Sequence, residues 1–308
     1  MRIGVDLGGT KIEAIAIADD GRELWRERAD TPRQDYGATL RAITGLIGRL
    51  ESELGQRGSV GIGTPGSVSR LSGLMKNCNS TALNGQPLRA DLERLLGRAV
   101  RLANDADCFA LSEASDGAAV GAALVFGVIL GTGAGGGLVV NQRVLSGPNG
   151  ICGEWGHNPM PLPADSERAQ RSCYCGRHDC VESWLSGTGF ALSYQQMTGA
   201  SLSARAVAAR LAAGEQAASQ CYAHYVQQLA RALAVVINIF DPFVIVLGGG
   251  MSNIDSLYHD VPACWGEHVF SDAVDTRLVK AMHGDSSGVR GAAWLWPEAS
   301  AGEQAAGR

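Results

Sequence analysis

The chain has 308 residues, 45% of them hydrophobic and 19% charged, with a net charge of −5. That length suits one large domain or two modest ones, and the composition excludes a disordered, solvating chain. The acidic balance without any Lys/Arg run leaves no footprint for nucleic acid, and neither long apolar stretch reads as a membrane span, since 122–140 is centred on glycine and threonine and 233–247 is broken by Asp241-Pro242.

In chain order, residues 2–6 read as an apolar strand, GGTK as a turn, and 12–18 and 23–28 as two further strands of a β-meander. Leu40, Ile43, Leu46, Ile47, Leu50 and Leu54 recur at three- and four-residue spacing, which predicts a helix. A buried strand at 60–63 ends in Pro65-Gly66. Residues 88–96 are helical, 100–102 a strand, and 106–114 a helix with Asn104 as its N-cap. The order then restarts: strands at 124–130, 137–140 and 144–145 around the turn Gly131-Thr132-Gly133, a helix over 216–240, and a strand at 244–247 that runs into Gly248-Gly249-Gly250. Two strand–glycine turn–strand openings predict a duplicated α/β unit joined near 116–121. The expected organisation is an N-terminal lobe over 1–117 completed by a helix at 288–296, a C-terminal lobe over 118–287, and a flexible tail over 297–308. Residues 163–172 read as a polar surface loop, and the serines of His283-Gly284-Asp285-Ser286-Ser287 as caps of the last helix.

Chemistry concentrates in five places. In Asp6-Leu7-Gly8-Gly9-Thr10-Lys11 the glycines let a hairpin tip expose its N–H groups to phosphate oxygens, while Thr10 adds a hydroxyl and Lys11 a charge. Asp6 is placed to hold hydrated Mg²⁺ through water. A plain turn explains GGTK alone equally well, but Gly131-Thr132-Gly133-Ala134-Gly135 repeats the context, and two such hairpins facing one another would clamp a polyphosphate. Asn104-Asp105-Ala106-Asp107 stands at a strand–helix junction. Asp105 is the candidate catalytic carboxylate, with a pKa expected to be low at a helix N-terminus. His157, Cys173, Cys175 and Cys180 form a Cys₃His set suited to structural Zn²⁺, with His178 as a competing nitrogen ligand and a disulfide or free thiols as the other readings. Glu154 and Glu182 flank that cage and could accept bonds from sugar hydroxyls. Gly248 and Gly249 allow a ring or ribose to lie against the backbone. Eight scattered or clustered cysteines and no leader-like opening are the usage expected of a cytoplasmic protein.

DLGGTK, GIGTPG (61–66), NDA (104–106), GTGAGGG (131–137), GEWGH (153–157), CYCGRHDCVE (173–182) and LGGG (247–250) occur in the order of the ROK-family sugar kinases, and the chain resembles that family over residues 1–296. KNCNS, LNGQP and HGDSSGVRGAAWLWP are similar to bacterial fructokinase/mannokinase. The resemblance implies an actin-like/hexokinase-like, ribonuclease H-type duplicated α/β fold whose two lobes enclose a cleft. It also implies an ATP- and Mg²⁺-dependent hexose kinase, with fructose as the expected substrate. Glucokinase, mannokinase and N-acetylhexosamine kinase are the alternatives, and a non-catalytic sugar-binding regulator is the rival from another class. It makes Asp105 the general base, assigns Asn79, Asn104, Glu154, His157 and Glu182 to the sugar, and brings Zn²⁺ to His157, Cys173, Cys175 and Cys180. The hairpins 4–11 and 131–138 would bind ATP phosphates, with Gly248-Gly249 near the nucleoside. Dimers are common in that family, so a homodimer is expected by analogy, with small molecules as the other partners. Asp179 stands where the family usually has glycine, and aspartate tolerates a positive φ better than most residues.

Overall fold

The computed structural model describes residues 1–32, 34–78, 80–164, 167–168 and 171–297, and of Asp285 the backbone alone. Strands β1 (Arg2–Leu7), β2 (Lys11–Ile17) and β3 (Glu23–Asp30) form the antiparallel meander that the alternating apolar residues demand. Helix α1 (Tyr36–Leu54) starts where the Asp35 carboxylate accepts from the Ala38 N–H and stops at Gly55, which turns into the left-handed region. It presses Leu40, Ile43, Leu46, Ile47 and Leu50 onto the sheet. After β4 (Ser59–Thr64) come a small ribbon of β5 (Ser67–Val68) and β6 (Met75–Lys76), helix α2 (Leu88–Leu96) and strand β7 (Val100–Asn104). The first sheet has the order β3-β2-β1-β4-β7, with β1, β4 and β7 parallel.

Helix α3 (Asp105–Ser115) leads into the second half: β8 (Leu124–Leu130), β9 (Ala134–Val140) and β10 (Arg143–Val144). Helices α4 (Val181–Leu185), α5 (Gly187–Thr198), α6 (Ala204–Ala212) and α7 (Gln216–Phe240) follow. Strand β11 (Val244–Gly248), helix α8 (Leu257–Trp265), strand β12 (Arg277–Lys280) and helix α9 (Ser287–Trp294) complete the elements, and the expected tail lies, from residue 298 on, outside the described residues. The second sheet reads β10-β9-β8-β11-β12, again an antiparallel meander continued by parallel strands. The duplication is therefore complete down to strand order and direction. Its fifth strand, β12, carries no sequence signal, because Leu278-Val279 is too short an apolar run to stand out.

The two halves meet on α3 and α9, and glycine sets how closely. A Cβ at Gly291 of α9 would lie 1.6 Å from the Cys108 carbonyl oxygen of α3, and one at Gly61 of β4 would lie 1.9 Å from the Ala292 oxygen. Only hydrogen fits at either place. The joint is also polar. The fully buried Glu113 carboxylate accepts from the Ala118, Met282 and His283 N–H groups and from the Ser287 hydroxyl. Asp116 accepts from Arg290 and faces His283 Nε2 at 3.1 Å.

Three expectations change here. The serines of 283–287 do not cap α9: Ser286 makes no capping bond, and Ser287 serves Glu113 instead. The 163–172 segment, partly outside the described residues, is not a solvated loop, since Glu167 pairs with Arg231 and Arg171 lies buried 3.5 Å over the Trp184 ring. Strand β9 begins three residues earlier than the glycine run suggested, so Gly135 is paired within the strand against Ile129 rather than standing in the turn.

Candidate active site

The first hairpin closes with the Gly8 N–H donating to the Lys11 carbonyl at 3.0 Å. Its outer side is tied down by the Thr31 hydroxyl, which donates to the Gly8 carbonyl. Gly9, Thr10 and Lys11 stay exposed, so the tip offers N–H groups, a hydroxyl and an ammonium to solvent. The second hairpin closes with the Gly131 N–H on the Gly133 carbonyl, and α5 anchors it through the Gly187 N–H to the Gly131 carbonyl. Gly249 adopts φ 79°, and its Cβ would meet Leu130 at 2.6 Å, so the Gly248-Gly249 bend lies directly against this hairpin.

Glu182, on α4, reaches the same turn. Its Oε2 accepts from the Ala134 N–H at 3.0 Å and fills the space a side chain at Gly133 would need. The segment carrying Glu154 and His157 is held to β9 by Trp155, whose indole N–H donates to the Gly135 carbonyl and whose ring packs edge-on against Phe126. Trp155 is a positioning residue that the motif contained but that site reasoning from acids and imidazoles passed over.

Asp105 is the first residue of α3, and Asn104 caps that helix by accepting from the Asp107 N–H at 2.6 Å. The Asp105 carboxylate accepts from the Ala106 N–H at 2.8 Å and keeps one side exposed to solvent while protein encloses the rest. That enclosure raises its pKa, and the backbone N–H bonds offset it only in part. The low pKa expected from the helix N-terminus is thus overturned by desolvation. Asp6, at the end of β1, is pushed up to about 6 by burial, with Asp105 and Glu13 adding repulsion. Asp107 rises to about 7 through burial and the charges of Glu154 and Asp105, and its Oδ1 is buried without a partner among the described residues. The acids from both halves therefore lie within electrostatic reach of one another at the α3 N-terminus. The crowding of Asp6 and Asp105 suits a bound divalent cation, which would relieve their repulsion.

His157, Cys173, Cys175 and Cys180 place one donor atom each within 4.8 Å of one another. The Cys175 and Cys180 sulfurs are 3.7 Å apart, close to the edge of about 3.8 Å that a tetrahedron with 2.3 Å Zn–S bonds requires. The His157 Nδ1 faces the Cys173 sulfur at 3.5 Å, and His178 is not part of the group. Asp179 takes φ 52°, and its backbone N–H and carboxylate both bond the Arg171 backbone, so the turn accommodates aspartate in place of glycine. The donor set fits zinc. On the opposite side of the His157 ring, Nε2 lies 2.9 Å from the Tyr174 hydroxyl and 4.0 Å from Glu154 Oε2. Asn79 falls outside the described residues.

The ROK family profile matches residues 2–299. The chain belongs to the ROK family. It is 42% identical over 299 residues to an N-acetyl-D-glucosamine kinase of Vibrio cholerae, covering 96% of this chain and 99% of that protein. It is 40% identical over 301 residues to the enzyme of the same name from Pectobacterium atrosepticum, with 96% and 98% covered. Among solved structures it superposes on the ROK hexokinase from Thermus thermophilus with a TM-score of 0.84 at 31% identity, over 96% of this chain and 97% of that one. The actin-like, hexokinase-like ROK fold and the sugar-kinase class follow. The fructokinase subtype does not, because the curated relatives named above are N-acetyl-D-glucosamine kinases. Among the described residues no helix is long and apolar enough to cross a membrane.

Proposed function

We propose that this ROK-family chain transfers the γ-phosphoryl group of ATP to the 6-hydroxyl of a hexose, and that the hexose is N-acetyl-D-glucosamine rather than fructose. The observation that carries the reading is the convergence on Asp105 of Asp6 from the first hairpin's strand and, through Asp107, of Glu154 from the loop pinned to the second hairpin. The identity of 42% to an N-acetyl-D-glucosamine kinase supports the acceptor.

In this mechanism the two hairpins hold the triphosphate through backbone N–H groups, Thr10 and Lys11, with Thr132 at the second tip, and the bend at Gly248-Gly249 receives the nucleoside. Bound Mg²⁺, held through water by Asp6, would neutralise charge on the phosphates. Glu154 and Glu182 accept from sugar hydroxyls, His157 bonds a hydroxyl through Nε2, and Asn104 contributes its amide N–H while its oxygen caps α3. Asn79 joins them on the resemblance alone. Asp105 accepts the hydroxyl proton as the phosphorus–oxygen bond forms. A loose transition state asks mainly for alignment, so a carboxylate suffices. Zinc on His157, Cys173, Cys175 and Cys180 would supply no chemistry to the transfer, only a fixed anchor for His157 and the loop.

The test is a panel of N-acetyl-D-glucosamine, glucose, mannose and fructose with ATP and Mg²⁺. The expected result is the highest kcat/KM for N-acetyl-D-glucosamine. Fructose in first place would restore the fructokinase reading, and no turnover of any hexose would favour a sugar-binding regulator.

A further inference from the structure

Tyr174 lies between two of the clustered thiols and is 82% exposed, yet its hydroxyl has a partner. It sits 2.9 Å from His157 Nε2, with its ring edge-on to the imidazole at a centroid distance of 5.0 Å. The phenol oxygen thus stands on the His157 nitrogen that faces Glu154, and both of those side chains are among the ones proposed to bind sugar hydroxyls.

With Nδ1 turned to the Cys173 sulfur, Nε2 is the only ring nitrogen of His157 available to a ligand. A sugar hydroxyl bonded to both His157 Nε2 and Glu154 Oε2 must enter the gap between them, which spans 4.0 Å. One imidazole nitrogen makes one well-aligned hydrogen bond, so the phenol and the sugar cannot both have it. The contact is also easily given up: apart from this bond and the ring edge, no hydrogen bond, ion pair or ring contact holds Tyr174 among the described residues.

We propose that Tyr174 sets the acceptor affinity of this site by competition, its hydroxyl holding the place on His157 Nε2 that a sugar hydroxyl must take, so that the phenol swings aside when the acceptor binds. The inference rests on the proposed sugar-kinase reading. It assigns to Tyr174 no part in the transfer itself.

Tyr174→Phe keeps the ring edge against His157 and removes only the competing oxygen. By calorimetry on the full chain with its metal, the Kd for N-acetyl-D-glucosamine should fall about threefold to tenfold, the value of one net hydrogen bond, with KM falling in parallel and kcat unchanged. Tyr174→Ala should give the same tightening, with metal content equal to wild type confirming an intact cluster. A weaker Kd in Tyr174→Phe would mean that the phenol contacts the sugar, and an unchanged Kd would mean that the bond does not compete. Either overturns the competition. A wild-type protein that binds none of the four hexoses of the panel would instead overturn the proposed function.

Discussion

At the scale of single residues, the acid chosen for catalysis has a different electrostatic character from the one its sequence position suggested. A carboxylate on the first turn of a helix should ionise easily. The pKa of Asp105 is raised instead, because the protein packed around its inner side desolvates it more than the backbone N–H bonds compensate. Asp6 in turn is pushed up to about 6, by burial first and then by the Asp105 charge. Since the base must be ionised, kcat/KM for the preferred hexose should fall on the acid side with an inflection above the ordinary 3.8, and that inflection belongs to the coupled carboxylates together. An inflection at or below 3.8 in a pH–rate profile would contradict the desolvation. Asp105→Asn should reduce kcat by roughly 10²–10⁴-fold, the usual worth of a general base, while calorimetry finds sugar affinity nearly intact. Near-normal turnover would remove Asp105 from the role.

At the scale of elements, two packing decisions position the site. The first is the cluster of thiols and imidazole that ties the Glu154–His157 segment to the start of α4, where Glu182 sits. Cys175→Ser should release the metal, read by elemental analysis, and should make residues 153–182 sensitive to limited proteolysis. Wild-type metal content together with unchanged proteolysis would show that Cys175 is no ligand. The second is the crossing of α3 and α9. Gly291→Ala places a methyl group against the Cys108 carbonyl and should cost about 1–3 kcal/mol or more in urea unfolding, as overpacking of a closed core does. A variant as stable as wild type would mean that the helices lie further apart than described.

At the scale of the whole molecule, the joint between the halves carries a pH dependence of its own. His283 has its pKa raised, first by the hydrogen bond to Asp116 and against the effect of burial. Its contribution to stability is therefore complete below the ordinary 6.5 and is lost as pH rises through the raised folded value. Burial pushes Asp116 up, but bonds from His283 and Arg290 outweigh it and hold the carboxylate below 3.8, so its contribution is lost only as pH falls through that lowered value. The joint should thus be firmest between these limits. Thermal unfolding should show a loss of stability as pH rises from 6.5 that His283→Gln lacks, and parallel pH profiles for the two proteins would rule the pair out. The same joint links α3, which carries Asp105, to α9, in which Gly288 lies against the Asp6 carboxylate.

What the chain determined locally was the inventory of parts. The meander of β1 to β3, the bounds of α2 and α7, the Asn104 cap, the two glycine hairpins and the four metal-ligand candidates all follow from spacing, side-chain chemistry and backbone limits within a few residues, so no distant contact was needed to see them. Tertiary structure alone decided the parts that depend on residues far apart. Gly61 and Gly291 look like any other glycines until a distant helix closes on each of them. Glu113 looks like a surface acid until residues 170 positions away surround it. Tyr174 looks like a spacer between cysteines until its hydroxyl meets an imidazole from another loop. The pKa of Asp105 belongs to the same class, because desolvation depends on everything packed around a group and on nothing in its immediate sequence.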